Sequence, residues 1–196
     1  RPQRLSPSGR PAFALGEPSG MITPRIKGLA EVLNDVGQAR TTDNLWGERW
    51  AKLATNCMSN PVAGITGLGA SELREDPAIR RLCIAIAGEL LTVAASLGVS
   101  VEPIGGVPAR MFLEALTDGA KREEVELGMV EAGKAVGNVR PSLALDIFKG
   151  RRTEIEQLNG YVVRKGRQAG IPTPVNQAIV ALTKRVEAGE LEPSVS

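Results

Sequence analysis

Residues 76–98 read DPAIRRLCIAIAGELLTVAASLG, and this stretch decides the fold. Asp76 is a typical N-cap, Pro77 suits the first helical position, and Gly98 favours a helix end. Between them apolar side chains recur at steps of three and four, which is the period of one buried helix face. This stripe consists of Ile79, Cys83, Ile86, Leu90, Val93 and Leu97. The stretch therefore predicts a long helix packed in the core of a protein.

Similar caps and apolar stripes predict that most of the chain is helical. The first predicted helix begins at Pro24, after the N-cap Thr23, and ends near Gly37. Its apolar stripe consists of Ile26, Leu29, Leu33 and Val36. The other predicted helices cover residues 43–60, 108–117, 121–136, 142–148 and 151–169, with a last one that begins at residue 174.

The short apolar run at residues 12–15 predicts a strand before the first helix, and residues 39–42 are expected to form a second short strand after it. Parallel strands joined by a helix belong to larger sheets and do not stand alone. We therefore expect residues 1–42 to be the end of a preceding α/β domain, with residues 1–11 as a tail or linker. Residues 43–196 are expected to form a mainly helical domain.

Composition limits the classes of function. The 196 residues include 42% hydrophobic and 23% charged side chains but 3% aromatic ones, which is typical of a globular domain with an aliphatic core. A net charge of +2 argues against a dedicated nucleic-acid binder. Two cysteines, no membrane-length apolar run and no signal peptide predict a reducing, cytoplasmic location and no membrane partner. Because histidine is absent, histidine triads and histidine metal sites are excluded, and we expect no metal ion.

The predicted helix over residues 43–60 carries the first candidate site. One stripe, expected in the core, consists of Trp46, Trp50, Leu53 and Cys57. Beside it, at intervals of four, lie Lys52, Asn56 and Asn60. Asparagine costs roughly 0.5 kcal/mol per helical position relative to alanine, so an ordinary solvent-facing stripe would use other residues. The polar stripe either lines a cleft for an anionic ligand or is a surface face that ends in a helix-end asparagine. In a cleft, the lysine ammonium could donate a proton to a developing alkoxide.

The second candidate site follows Pro141. Ser142 starts one predicted helix, and Glu154 lies near the start of the next. Taken singly, Ser142 is also explained as an N-cap, and Glu154 as a favourable charge in a first helical turn. The residues alone leave both interpretations open.

Groups of residues in register carry a resemblance to a known family. They are Trp50-x-Lys52-Leu53-x-x-Asn56-x-x-x-Asn60-Pro61, Pro141-Ser142-x-x-x-Asp146-Ile147, Gly150-Arg151-x-Thr153-Glu154-Ile155-Glu156-x-x-Asn159-Gly160 and Gly170-Ile171-Pro172-Thr173-Pro174-Val175-Asn176. In this order and at these spacings they resemble the C-terminal domain of the ketopantoate reductases (2-dehydropantoate 2-reductases). Upstream, Phe13-x-x-Gly16-Glu17 resembles the end of that family's nucleotide-binding domain.

The resemblance implies a helical domain of the 6-phosphogluconate dehydrogenase C-terminal type behind a Rossmann domain, with NADPH and a small 2-keto acid meeting between the two. It makes Lys52 the general acid at the ketone oxygen and Glu154 a catalytic carboxylate near the substrate. It makes Asn56, Asn60 and Ser142 substrate-binding groups. The implied activity is the NADPH-dependent reduction of 2-dehydropantoate in pantothenate biosynthesis, and the chain alone is expected to be inactive.

Two departures from the family pattern leave alternatives open. No Gly-x-Gly-x-x-Gly phosphate loop occurs, so we expect the main NADPH site in a missing N-terminal domain. Ala70 stands where the family often has asparagine, which puts 2-dehydropantoate itself in doubt. The alternatives are a same-fold reductase of another 2-keto substrate and a non-catalytic helical dimerisation module. A nucleic-acid adaptor would rest on the basic residues 149–152 and 164–167.

We also expect an exposed apolar surface where the missing domain docks, and a possible homodimer through residues 79–97 or 25–37.

Overall fold

The structure is a computed structural model that describes residues 13–134 and 138–195, and it is mainly helical, as predicted. The elements in chain order are β1 (Phe13–Leu15), α1 (Pro24–Leu33), β2 (Ala39–Thr41), α2 (Leu45–Thr66), α3 (Glu72–Glu75), α4 (Pro77–Ser96), α5 (Ala109–Glu114), α6 (Gly119–Lys134), α7 (Ser142–Phe148), α8 (Asn159–Ala169) and α9 (Pro174–Glu187). Two predictions lie outside the described residues: the tail at residues 1–11, and the end at residue 136 of the helix predicted to begin at residue 121.

The N-terminal unit is a β-α-β arrangement. β1 and β2 pair in parallel, with Phe13 opposite Ala39, and α1 connects them. Thr23 caps α1 as predicted, since its side chain accepts a hydrogen bond from the Ile26 amide at 3.3 Å. α1 ends at Leu33 rather than near Gly37, because the Asn34 side chain donates to the Ala30 carbonyl at 2.8 Å and turns the chain into β2.

The predicted apolar stripe of α1 is only partly buried. Ile26 is buried, whereas Leu29 and Val36 are 44% and 66% exposed. Further large apolar side chains are exposed on and around this helix, namely Met21, Ile22, Val32 and Trp46. We call this set, with Leu29 and Val36, the α1 surface. A helix that buries one edge and exposes another apolar edge is typical of an element that packs against a second body.

Helix α2 differs from its prediction at both ends. Its N-cap is Asn44 rather than Asp43, with the Asn44 side-chain oxygen accepting from the Gly47 amide at 3.0 Å. The helix also continues through Pro61 to Thr66. Proline has no N–H, so inside a helix it leaves the carbonyl four residues earlier without its usual donor. That carbonyl belongs to Cys57, and the Asn159 side chain donates to it at 3.3 Å. A side chain from α8 therefore replaces the hydrogen bond that Pro61 cannot make.

Helix α4 forms the centre of the core, as its sequence predicts. Asp76 caps it through a hydrogen bond from the Ala78 amide at 2.7 Å. The apolar stripe is buried except at Leu97, the C-cap, which is 43% exposed. α4 packs against α2, α5, α8 and α9. These helices cover the apolar stripe, and the expected homodimer through residues 79–97 stays a prediction.

The predicted helix over residues 151–169 is wrong in its first half. Residues 151–158 form turns, and the helix begins at Asn159. Ile155 and Leu158 are nevertheless buried. The apolar spacing therefore predicted correctly which residues enter the core but not the backbone conformation. Gly150, at φ +63°, precedes this turn segment. α5 is also shorter than predicted, and α6 begins slightly earlier, at Gly119.

A search of the described helices finds none with the combined length and hydropathy that a membrane crossing requires.

Candidate active site

The polar stripe of α2 opens into a hollow of about 510 Å³, which we call the Lys52 hollow. It is lined by Trp46, Arg49, Trp50, Lys52, Leu53 and Asn56 of α2, and by Gln157 and Tyr161. The Lys52 side chain is exposed, and Asn56 is half-buried. Two of the three stripe residues therefore line a cleft, which favours the cleft interpretation over a plain surface face.

The walls of the Lys52 hollow are aromatic. Trp50 and Tyr161 contact each other with ring centroids 5.9 Å apart and ring planes tilted by 58°. Trp46 was predicted to lie in the core, and this is wrong, since it is 48% exposed. The first turn of α2 extends past the helical core to the N-terminal unit, where the Trp46 indole N–H donates to the Pro18 carbonyl at 3.3 Å.

Asn60, the third residue of the stripe, has different surroundings. It is 8% exposed, and its side-chain oxygen accepts a hydrogen bond from the Ser59 hydroxyl at 3.1 Å. It is absent from the described residues that line the Lys52 hollow. One turn later, Gly64 packs so closely on Leu143 and Ile147 of α7 that a Cβ atom would touch them. The stripe thus runs from the open hollow at Lys52 into the α2–α7 interface.

A second hollow, of about 500 Å³, contains the other predicted site residues, and we call it the Glu154 hollow. Its lining consists of Ser142, Asp146, Arg152, Thr153, Glu154 and Gln157. The Ser142 hydroxyl donates to Glu154 Oε1 at 3.2 Å. Ser142 is the first residue of α7 and its side chain makes no capping hydrogen bond, so the N-cap interpretation is wrong.

Glu154 is held by the turn segment rather than by a helix. The neighbouring Thr153 is buried, and its amide and hydroxyl donate to the Glu187 carboxylate at 2.9 Å and 3.2 Å. This contact ties the turn to the end of α9 and fixes the backbone beside Glu154. Glu154 was predicted near the start of a helix, and this is wrong, as is the first-turn explanation of its charge.

Gln157 lines both hollows, which makes them neighbours. Lys52 and Asn56 line the first hollow, and Ser142 and Glu154 line the second. Within the described residues, no hydrogen bond or ion pair joins Lys52 to Glu154. The two adjoining hollows thus carry an ammonium group that can donate a proton, a carboxylate and neutral polar groups.

Gln157 and Arg49 line the hollows but were not predicted as site residues. Each has a simple signal, because each stands three residues from a predicted site residue and so shares a helix face with it in the predicted helices. Arg49 precedes Lys52, and Gln157 follows Glu154.

A network of buried side-chain hydrogen bonds links the helices around the candidate site. Asn159 donates to Asn176 Oδ1 at 3.0 Å, and Asn176 in turn donates to Glu89 Oε2 at 2.7 Å. The Glu89 carboxylate also accepts the amides of Val175 and Asn176 at the start of α9. The asparagines of two sequence motifs therefore join α2, α4, α8 and α9, and their role is structural.

Ala70 lies outside both hollows, on a small apolar cavity of about 60 Å³ that Cys83 and Phe112 also line. Its amide donates to the Val139 carbonyl at 3.1 Å.

Burial raises the pKa of the Cys83 thiol to about 12 and also raises the pKa of the Cys57 thiol. Both thiols are therefore protonated and unsuited to nucleophilic chemistry.

The Glu17 carboxylate lies beside the start of α1 in the N-terminal β-α-β unit. It accepts hydrogen bonds from the Thr23 hydroxyl at 2.7 Å and from Arg25 Nη2 at 2.5 Å. The hydrogen bond from Arg25, and next that from Thr23, lowers the pKa of Glu17.

Comparison with known proteins identifies related chains. Residues 44–187 match the family described as "Ketopantoate reductase PanE/ApbA C terminal". A 2-dehydropantoate 2-reductase from Mesorhizobium japonicum is 33% identical over 175 residues, covering 89% of this chain and 47% of that protein. The chain spans about half the length of the curated relatives it matches.

Solved structures show the same fold. A PanE/ApbA family ketopantoate reductase from Ralstonia eutropha superposes with a TM-score of 0.68 at 26% identity, covering 90% of this chain and 51% of that one. A D-mandelate dehydrogenase solved with NADH superposes with a TM-score of 0.72 at 23% identity, covering 90% of this chain and 54% of that one.

Proposed function

This chain belongs to the ketopantoate reductase family, and on that premise we propose that it is the substrate-binding part of an NADPH-dependent 2-keto acid reductase. Residues 43–196 form the helical substrate domain, and residues 1–42 are the end of a Rossmann domain. The observation that carries the proposal is the pair of adjoining hollows. Lys52 and Asn56 line one of them, Ser142 and Glu154 line the other, and Gln157 lines both.

Lys52 is the general acid. The hydride for the keto carbon would come from NADPH held by the Rossmann domain, and the ketone oxygen would take up the carbonyl electron pair. Lys52 donates a proton from its ammonium group to that oxygen, giving the 2-hydroxy acid, and the neutral amine regains a proton from water. A general acid positioned in this way contributes typically about 10²–10⁴-fold to the rate.

Glu154 is the catalytic carboxylate. Its Oε1 accepts the Ser142 hydroxyl, and its Oε2 has no hydrogen-bond partner within the described residues. A carboxylate fixed at one oxygen can use the other to orient the Lys52 ammonium or to accept a substrate hydroxyl. Asn56 and Ser142 offer polar hydrogens and oxygens to the substrate from the two hollows. Asn60 completes the substrate-binding set, from its buried position on the same helix face.

2-Dehydropantoate is the preferred substrate candidate because of the family. A different branched 2-keto acid is the second candidate, because Ala70 stands where the family often has asparagine. In the structure Ala70 faces a small apolar cavity outside both hollows. The remaining alternative, a non-catalytic dimerisation module, has the exposed α1 surface in its favour.

The preceding Rossmann domain is the proposed partner of the α1 surface. Interdomain contacts typically bury roughly 600–1,500 Å². Without that domain the α1 surface would favour self-association, so the isolated chain is expected to form dimers in sedimentation. The two cysteines are free thiols, which supports a reducing, cytoplasmic location.

The test is an assay of the longer protein that joins this chain to a nucleotide-binding domain. We expect it to oxidise NADPH when 2-dehydropantoate or a related branched 2-keto acid is added. The isolated chain should neither turn over nor bind NADPH saturably. A longer protein that reduces none of these acids would contradict the proposal and favour the dimerisation module. Saturable NADPH binding by the isolated chain would contradict the placement of the cofactor site.

A further inference from the structure

We propose that Arg49 binds the carboxylate of the ligand in the Lys52 hollow and so makes the site selective for 2-keto acids over neutral ketones. This inference rests on the proposed function, because it takes a 2-keto acid as the ligand. Its evidence is the geometry of the hollow itself. Arg49 is a wall residue of that hollow, one helical turn before Lys52.

The Arg49 guanidinium is held in place by an aromatic ring. Its central carbon lies 5.6 Å from the centroid of the Trp46 ring, within the range of a cation–π contact. Trp46 is itself anchored by its hydrogen bond to the Pro18 carbonyl. The contact holds one face of the guanidinium and leaves its N–H edge available for an anion.

The charges around Arg49 favour a bound anion. No carboxylate pairs with Arg49 within residues 13–134 and 138–195, and no acidic residue is among those that line the Lys52 hollow. The adjacent Glu48 is already paired with Arg40. The lining of the hollow thus carries the two positive charges of Arg49 and Lys52 and no negative charge among the described residues.

The spacing of the two cations matches a 2-keto acid. Residues three apart on a helix have Cβ atoms about 5–6 Å apart, so two long side chains can reach neighbouring oxygen atoms. In a 2-keto acid the ketone and the carboxylate are on adjacent carbons. Lys52 then serves the ketone oxygen as a point donor, and the planar fork of Arg49 serves the two carboxylate oxygens. Trp50, Leu53 and Tyr161 leave an apolar wall for the side chain of the acid.

The chain has a built-in reporter for this test. It contains two tryptophans, and both line the Lys52 hollow. Tryptophan emission of the isolated chain is therefore measured while 2-oxo-3-methylbutanoate is added, and the titration is repeated with its uncharged methyl ester. We expect a saturable change with the acid and at least about tenfold weaker binding of the ester, the scale of losing a charge-assisted hydrogen bond.

The variants locate the effect. Arg49→Gln should weaken binding of the acid about tenfold while leaving the ester unchanged, and Arg49→Lys should lie between the two. Arg81→Gln removes the same charge from an exposed position on α4 and should have no effect. Circular dichroism of each variant checks that the fold is kept.

Three results would overturn the proposal: no saturable change with the acid, equal binding of acid and ester, or unchanged acid affinity in Arg49→Gln. A fourth is a response to NADP⁺, instead of the acid, that depends on Arg49, because the arginine would then serve a cofactor phosphate. Failure of the proposed function has a different signature. The longer protein would then show no turnover, whatever the binding of the acid to this chain.

Discussion

The Ser142 hydroxyl donates a hydrogen bond to Glu154 Oε1 at 3.2 Å, although twelve residues separate the two in sequence. The contact joins the first residue of α7 to the turn segment before α8. It orients one carboxylate oxygen of Glu154 and leaves the other facing an open hollow. Both side chains are exposed to solvent, so the pair is not part of the core.

We expect substitutions of these two residues to have different effects on the kinetics. In the active, longer protein, Glu154→Gln should lower kcat severely, by about 10²-fold or more, because the charge beside the reacting centre is lost. Ser142→Ala should mainly raise the KM for the keto acid, by roughly tenfold, because it removes a binding contact and leaves the carboxylate in place. Steady-state kinetics at saturating NADPH measures both. Equal, small effects of the two substitutions would show that the pair is not part of the site.

A second prediction concerns Asn159, which supplies the hydrogen bond that Pro61 cannot make. Asn159→Ala should lower the free energy of unfolding by roughly 2–4 kcal/mol, because it leaves buried groups on Cys57 and Asn176 without a donor. Urea unfolding measures it.

The matched control is a double-mutant cycle. Pro61→Ala restores an N–H to α2, which can then donate to the Cys57 carbonyl. The cost of Asn159→Ala should therefore be smaller in the Pro61→Ala background. Additive effects would contradict the link between the proline and the asparagine.

Pro61 also shows where sequence reasoning stops. Caps and apolar spacing depend on residues near in sequence, and for that reason the start and stripe of α4 and the start of α1 were predicted correctly. Whether a helix passes a proline depends on a donor from elsewhere, here Asn159. The spacing of residues near Pro61 does not reveal that partner, and for this reason the helix was predicted to end at Asn60.

The candidate site was predictable in its residues but less so in its geometry. The interval of four between Lys52 and Asn56 placed them on one face, and the structure puts both on one hollow. The backbone around Glu154 was misjudged as helix. The turn is fixed by a hydrogen bond from Thr153 to Glu187, which is distant in sequence. The buried Ile155 also has a spacing that a helix would show, so the apolar pattern did not distinguish the two. Arg49 and Gln157 were missed because a charged or amide side chain on a predicted surface is ordinary.

A third prediction compares two helical glycines. A methyl group at Gly47 would collide with the backbone oxygen of Ser100, which cannot move aside cheaply. Gly47→Ala should therefore destabilise the protein by about 1–3 kcal/mol. At Gly28 no atom lies within 4 Å of the added carbon, so Gly28→Ala should stabilise by up to about 1 kcal/mol through helix propensity. Thermal unfolding of both variants checks the pair, and a stable Gly47→Ala protein would contradict the close approach.

A fourth prediction concerns acid. The hydrogen bonds from Arg25, and next from Thr23, lower the pKa of Glu17 in the folded state. A carboxyl group with a lowered folded-state pKa adds stability above its unfolded-state pKa of about 4.3, and that stability is lost as the pH falls through the folded-state pKa. Glu17→Gln should therefore flatten the fall in stability below about pH 5. Glu123→Gln, at an exposed position on α6, controls for the lost charge. The same acid profile in wild type and Glu17→Gln would refute this prediction.

The central claim is that Lys52 is the general acid of a 2-keto acid reductase, and one measurement tests it most directly. In the longer protein, kcat for keto acid reduction and the KM for NADPH are compared between wild type, Lys52→Ala and the exposed-site control Lys27→Ala. We predict that Lys52→Ala lowers kcat by about 10²–10⁴-fold with little change in the KM for NADPH, while Lys27→Ala keeps wild-type turnover. A Lys52→Ala protein that retains wild-type kcat would contradict the account.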